Sequence, residues 1–337
     1  MYITHIPATP DGGAIVLAEI MAMQSQPPAL PPDADLTPLL PRTGGVPATW
    51  VTAPRQPAET VTPANHPAET VSTTGQSADA VTVAHGSTET ISTAGQSAEA
   101  VTVYVHGGGF EYANPHMERV MAYRLSQATG RPVVAVDYRL APAHRYPAAL
   151  EDVVAVYLSL LAQGVPASGI VLAGESAGAT LVLSALLVLK EAGDELPAAA
   201  LAVSPQTDLT LSSPSIEAND GQDVVHRAVL DHVRTQYLAG ARPDEAPQSP
   251  LHGDLRGLPP LLLAVGSKEV LLDDARRFAE AASAAGGDVR LDVYDEMPHV
   301  FHASALAAEP GPTAVTWLRR VKEWSGSRSP VSPGNSG

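Results

Sequence analysis

The sequence predicts an α/β protein built on a mostly parallel, doubly wound β-sheet. From Val101 onward, short apolar segments rich in β-branched residues alternate with longer amphipathic segments, which is the pattern of repeated strand–helix–strand units. Segments such as V-V-A-V and I-V-L-A are apolar throughout, as expected where helices cover both faces of a sheet. Several predicted helices are followed by glycine, the residue that most often ends a helix.

The individual strands and helices are predicted from the spacing of the apolar residues. Strands are predicted around Asp35–Leu40 and Pro47–Val51, and then at Val101–Val105, Val133–Val136, Ile170–Ala173, Ala200–Ser204, Leu261–Val265 and Val289–Tyr294. Helices are predicted at Ala14–Met23, His116–Thr129, Ala148–Gln163, Ala177–Ala192, Val224–Leu238, Asp273–Ala285 and Thr313–Trp324.

A tandem repeat of ten residues precedes the first of the regular strands. Every tenth residue from Val61 to Val101 is Val or Ile, in copies such as P-A-E-T-V-T-P-A-N-H, and residues 57–96 contain no Lys or Arg. A period this short suggests tandem duplication. The copies are interpreted as a solvent-exposed insertion of marginal order, with short added strands as the alternative.

The chain therefore divides into several regions. In order, they are an N-terminal cap segment (1–34), the first strands of the main domain (35–55), the decapeptide insertion (56–96), the main α/β domain (97–324) with a cap insertion at about 206–259, and a disordered tail (325–337). The second insertion is assigned because the chain there becomes irregular and rich in proline between two predicted sheet strands.

Composition excludes several classes of function. The formal net charge of the 337 residues is −16, so we expect no nucleic-acid partner, because such binding depends on Lys and Arg. The chain has no Cys, which excludes disulfides and thiolate chemistry. It shows neither a basic N-terminal region typical of secretion signals nor an apolar segment long enough for a membrane span, so the expected location is the cytoplasm.

The strongest chemical signal is A-G-E-S-A-G at Ala173–Gly178. It lies between a predicted strand and a predicted helix, where G-x-S-x-G forms a tight turn that exposes the serine oxygen above the sheet. Ser176 is therefore the candidate nucleophile. The alternative is an ordinary structural turn.

A second signal is H-G-G-G at residues 106–109, at the end of the strand Val101–Val105. Glycines allow backbone N–H groups to approach a developing oxyanion closely. We assign Gly108 and Gly109 as oxyanion-hole donors together with Ala177, and His106 as a structural brace. A plain glycine turn is the alternative.

A serine nucleophile needs a base and an acid. In chains with a G-x-S-x-G turn, the acid follows the serine and the base follows the acid. Of eleven histidines, His299 is favoured because it comes first after the last predicted strand, and His302 is the local competitor. Glu269 is the favoured acid because it lies on the loop after the preceding strand. Asp273 and Asp274 remain the alternatives, although both also suit the first turn of a helix.

Together these segments resemble the bacterial hormone-sensitive-lipase-like branch of the α/β-hydrolases. The matching motifs are H-G-G-G-F, D-Y-R-L-A-P, G-E-S-A-G, S-P-Q-T-D-L, the segment from Leu258 to Asp274, and M-P-H-V-F. The resemblance implies a triad of Ser176, Glu269 and His299, and a cap formed by the N-terminal segment with the later insertion. Many members have D-P-L where this chain has E-V-L at Glu269–Leu271. The chain therefore departs from the family pattern at the acid.

The resemblance implies a serine carboxylesterase for small-molecule esters of short- to medium-chain acyl groups, with no cofactor and no metal. An acyltransferase or a lactone or amide hydrolase would use the same three residues. A non-catalytic ligand-binding relative is a further alternative, which the presence of a serine, a histidine and an acid disfavours. A homodimer is left open.

Overall fold

The structure is a computed structural model that describes residues 1–16, 18, 28–39, 46–54 and 99–326. Within these residues the strands are β1 (Tyr2–Ile6), β2 (Asp35–Leu39), β3 (Ala48–Thr52), β4 (Val101–Val105), β5 (Val133–Val136), β6 (Ile170–Glu175), β7 (Ala199–Val203), β8 (Leu261–Gly266) and β9 (Val289–Tyr294). They form one sheet in the order β1-β9-β8-β7-β6-β4-β5-β3-β2.

The sheet is parallel except at one end. β4 to β9 pair in parallel with their neighbours, and β1 adds a parallel edge strand beside β9. β3 is antiparallel to both β2 and β5. The mostly parallel, doubly wound sheet predicted from the sequence is confirmed.

Helices connect the parallel strands, and one further helix follows the last strand. They are α1 (Pro115–Thr129), α2 (Ala148–Ala162), α3 (Ala177–Ala192), α4 (Ser215–Ala218), α5 (Arg227–Leu238), α6 (Leu272–Ala284) and α7 (Pro312–Gly326). Residues 12–16 are also helical, and short 3₁₀ turns occupy Ala167–Gly169, Pro250–His252 and Phe301–Leu306. No helix in the described part of the chain is both long enough and apolar enough to cross a membrane.

Alternate side chains of the strands enter two separate cores. In β4, Val103 and Val105 pack on the face covered by α2, α3 and α6, whereas Tyr104 packs on the face covered by α1 and α7. This alternation is the geometry of an extended strand. Because both faces are covered, all five residues of β4 are buried, which explains the continuous apolar segments of the sequence.

Two expectations differ from the structure. Residues 1–34 are predicted as a cap segment, but Tyr2–Ile6 instead pair with β9 at the sheet edge; a strand of five residues carries no signal for its partner. The predicted tail begins at residue 325, whereas α7 continues to Gly326 because Trp324 is buried in the core. The decapeptide insertion, the second part of the predicted helix Ala14–Met23 and residues 327–337 lie outside the described residues.

Residues 206–259, which lie between β7 and β8 and make up most of this connection, contain α4 and α5; we call them the β7–β8 insertion. This insertion and the loops after β4, β6, β8 and β9 all start from the carboxyl ends of parallel strands. In open parallel sheets, this is the edge at which ligands bind.

Candidate active site

Ser176 lies at the tight turn between β6 and α3. Its backbone has φ of 50° and ψ of −122°, a strained conformation of the kind that collects at functional sites. A Cβ atom at Gly178 would lie 2.1 Å from the carbonyl oxygen of Val105, and one at Gly174 would lie 2.4 Å from that of Gly178. The turn is possible because glycine has no Cβ atom at either position. The two glycines therefore allow the close backbone approach that lifts Ser176 above the sheet.

The structure brings Ser176 together with His299 and Glu269. His299 Nε2 lies 2.9 Å from Ser176 Oγ, and His299 Nδ1 lies 2.9 Å from Glu269 Oε2. The imidazole and the carboxylate are both buried, and the other carboxylate oxygen of Glu269 accepts a hydrogen bond of 2.7 Å from Ser204 Oγ. A Glu fixed in this way holds one tautomer of the imidazole, with Nε2 free to accept the serine proton.

The charges around His299 favour its protonated form. Burial alone would lower the pKa of this imidazole, but the hydrogen bond and negative charge of Glu269, together with the charges of Asp223 and Glu175, raise the pKa above its ordinary value. A base with a raised pKa is better able to accept and hold the proton of a serine hydroxyl.

The H-G-G-G loop lies beside Ser176. Gly108 and Gly109 have φ of 104° and 61°, conformations that favour glycine. Their N–H groups donate to no acceptor in the described part of the chain. His106 lies behind the loop, its Nδ1 2.6 Å from the carbonyl oxygen of Gly107. The loop therefore has free donors near the serine and a buried brace.

Ser176, Ala177 and His299 line a cavity of about 640 Å³ together with Gly108 and Gly109. Its remaining wall is largely aliphatic and comes from the β7–β8 insertion, through Val224, Val225, Val229, Leu230 and Val233. A second cavity, of about 520 Å³, shares the lining residues Gly107, Gly108, Glu175 and Val300 with the first.

The competing acids have other partners. Asp274 Oδ1 accepts hydrogen bonds of 2.8 and 2.9 Å from the N–H groups of Thr207 and Asp208. Asp273 accepts one of 3.0 Å from the N–H of Ser215. Both lie in the first turn of α6 and neither bonds to a histidine in the described part of the chain.

The competing histidine, His302, bonds through Nε2 to Glu175 rather than to Ser176. It is buried and its ring packs against Trp317. Its position makes it part of the wall behind the nucleophile. The part of the chain that the structure describes contains no group of three or more His, Asp or Glu side chains placed to share a metal ion.

Sequence reasoning missed Asp223. This buried carboxylate of the β7–β8 insertion lines the cavity and accepts a hydrogen bond of 2.6 Å from the backbone N–H of His299. The stretch around it has no motif that marks it, and backbone N–H partners leave no trace in a sequence.

The sequence is similar to those of known proteins. A model of the α/β-hydrolase fold family matches residues 102–303. An acetyl-hydrolase of Streptomyces hygroscopicus is 44% identical over 201 residues, which are 59% of this chain and 67% of that protein. An esterase of Acinetobacter venetianus is 38% identical over 199 residues, 58% of this chain and 65% of that protein.

Solved structures extend the similarity over more of the chain. An esterase from the bacterial hormone-sensitive lipase family is 33% identical, with a TM-score of 0.74 over 93% of this chain and 90% of that one. The structure of EstE5 soaked with ethyl alcohol is 29% identical, with a TM-score of 0.74 over 93% and 91% of the two chains.

Proposed function

This chain belongs to the α/β-hydrolase fold family, as a carboxylic ester hydrolase, and on that premise we propose that it cleaves short- to medium-chain acyl esters through an acyl-enzyme on Ser176. The observation that carries the proposal is the continuous chain of hydrogen bonds from Ser176 through His299 to Glu269, open to the cavity at its serine end.

In the first half of the reaction, His299 Nε2 takes the proton of Ser176 Oγ while this oxygen bonds to the ester carbonyl carbon. The carbonyl electrons move to an oxyanion, for which we propose the N–H groups of Gly108, Gly109 and Ala177 as donors. The oxyanion then collapses, the bond to the alcohol oxygen breaks, and His299 gives its proton to the leaving alcohol.

In the second half, water takes the place of the alcohol. His299 removes a proton from the water while the water oxygen bonds to the acyl carbon. The bond between the acyl carbon and Ser176 Oγ then breaks, and His299 passes the proton to Ser176 Oγ. Glu269 stays ionised throughout and stabilises the imidazolium that forms in each half.

The size and lining of the site support small, apolar acyl groups. The nucleophile cavity of about 640 Å³ lies within the range of roughly 300–1,000 Å³ for small-molecule sites. Its aliphatic wall favours an alkyl chain, and the nearby carboxylates Asp223 and Glu175 disfavour an anionic one. We therefore propose neutral esters of short to medium chain length.

Turnover of p-nitrophenyl acetate, butyrate, octanoate and dodecanoate tests the proposal. We expect activity on the shorter esters, and a loss of about 10³-fold or more in kcat for Ser176→Ala, because the nucleophile is removed. Mass spectrometry of the wild type after a rapid acid quench is expected to detect the acylated Ser176 peptide. Retention of wild-type turnover by Ser176→Ala would refute the mechanism.

The small-molecule ester is the partner that the family implies. We further propose a cytoplasmic location and no nucleic-acid partner, in line with the acidic composition, and a homodimer stays a prediction. Sedimentation at several concentrations and cell fractionation are the corresponding measurements.

A further inference from the structure

Asp223 connects the β7–β8 insertion to the loop that carries His299. Its Oδ1 accepts the 2.6 Å hydrogen bond from the His299 backbone N–H and another of 2.7 Å from its neighbour Val224. Asp223 is only 7% exposed. A short bond from a backbone N–H to a buried carboxylate is charge-assisted and stronger than a neutral one.

The loop that carries His299 needs outside support. It contains two residues other than glycine with positive φ, Glu296 at 62° and Val300 at 56°, a conformation that costs energy for most residues. Its internal turn bond, from the N–H of Met297 to the carbonyl oxygen of Tyr294, is long at 3.4 Å. The position of His299 therefore depends on contacts from other elements.

The same carboxylate also holds the loop that carries Glu269. Asp223 Oδ2 accepts a hydrogen bond of 2.8 Å from the N–H of Val270. Asn219, four residues earlier in the insertion, donates one of 2.8 Å to the carbonyl oxygen of Glu269. The insertion thus binds the backbone at the acid and at the base.

We propose that Asp223 is a positioning residue that fixes the backbone of His299 relative to Glu269, so that the β7–β8 insertion sets the geometry of the proton relay as well as the wall of the cavity. The inference rests on the function proposed above for these two residues. Asp223 acts through His299 and makes no bond to its imidazole.

Removal of the Asp223 charge also has a predictable effect on the imidazole. The carboxylates that favour the charged form of His299 are Glu269 from the loop after β8, Asp223 from the insertion, and Glu175 from the nucleophile turn. Without Asp223, the pKa of His299 falls. Because the base must be neutral to accept a proton, the acid limb of the pH profile of kcat/KM then moves to lower pH.

The test compares Asp223→Asn and Asp223→Ala with Asp244→Asn in hydrolysis of p-nitrophenyl butyrate. Asp244 is an exposed residue of the same insertion that pairs with the exposed Arg242, so its substitution makes the same change of charge away from the site. We expect kcat to fall about 10- to 100-fold for the Asp223 variants, with KM within about 2-fold, and the acid limb of Asp223→Asn to shift to lower pH.

Two outcomes would overturn the inference. One is a pH profile and kcat of Asp223→Asn that match those of Asp244→Asn. The other is a loss of activity that follows a lower folded fraction by circular dichroism, with an unmoved acid limb. If Asp223→Ala does not fold, the same comparison of kcat and pH profile is made with Asp223→Asn and Asp223→Ser. An active Ser176→Ala variant would instead refute the proposed function. If Ser176→Ala is inactive and Asp223→Asn is fully active, only this inference is refuted.

Discussion

At the scale of single residues, the carboxylate of Glu269 is bound on both sides. One oxygen meets His299 Nδ1 at 2.9 Å and the other accepts from Ser204 Oγ at 2.7 Å. An amide at this position keeps the shape but loses the charge that stabilises an imidazolium, so the identity of the acid can be tested directly.

We expect Glu269→Gln to lower kcat by about 10³- to 10⁴-fold, because the amide neither holds the tautomer of His299 nor stabilises its charge. Glu269 raises the pKa of His299, so the remaining activity is expected to extend to lower pH. The measurement is kcat/KM of p-nitrophenyl butyrate between about pH 4 and 9.

The matched control is Asp273→Asn, which removes a charge from the first turn of α6 without touching His299. We expect it to keep wild-type kcat. A fully active Glu269→Gln with an inactive Asp273→Asn or Asp274→Asn would reassign the acid.

Sequence patterns could place the residues that the structure brings together at the site, because each lies at the end of a strand with a strong apolar signal. Ser176 and His299 also have local signatures, a glycine-flanked turn and a histidine after the last strand. Asp223 has neither. Its role depends on two backbone N–H groups that are distant in the sequence, and only the folded chain brings them within 2.8 Å.

At the scale of elements, the sheet strands from Val101 onward were predicted well, because buried parallel strands are apolar on both faces. β4, β5 and β9 have the predicted bounds, and so does α3. The pairing of β1 with β9 and the antiparallel pairing of β3 could not be predicted. The sequence of a short strand indicates which of its faces is buried, but the strand with which it pairs depends on the whole sheet.

Helix α1 carries a buried acid near its start. Glu118 accepts a hydrogen bond of 2.7 Å from the N–H of Asn114 and is 6% exposed. Burial, followed by the charges of Asp137 and Glu175, raises its pKa from 4.5 to about 7, although the bond from Asn114 opposes this. Between these two pH values the folded state holds the proton and the unfolded state releases it, so this group lowers stability as pH rises.

We expect Glu118→Gln to stabilise the protein at pH 8 by up to about 3 kcal/mol, because the amide keeps the bond to Asn114 without a charge to bury. At pH 4 the two proteins are expected to be alike. Urea unfolding at both pH values measures the difference. Glu151→Gln, at an exposed site in the first turn of α2, is the control, and an equal effect of the two substitutions would contradict the prediction.

At the scale of the whole molecule, the sheet places the end of β3 close to the start of β4. Val51 of β3 and Thr102 of β4 both pair with Val133 of β5, one from each side. Since neighbouring strands lie about 4.8 Å apart, the end of β3 and the start of β4 are separated by about 10 Å.

We expect deletion of residues 57–96 to leave kcat/KM within about 2-fold of wild type. The eight residues that remain between β3 and β4, 53–56 and 97–100, can span up to about 26 Å, more than the gap requires. Ester turnover and the midpoint of thermal unfolding check this. An insoluble or inactive deletion variant would show that the copies are integral to the fold.

The direction of β4 separates its amino end from the chemistry. Its amino end receives the chain from the decapeptides, whereas its carboxyl end leads into the H-G-G-G loop, roughly 17 Å away along the strand. The same separation makes the amino end of β4 a suitable junction for inserting a reporter or an affinity module.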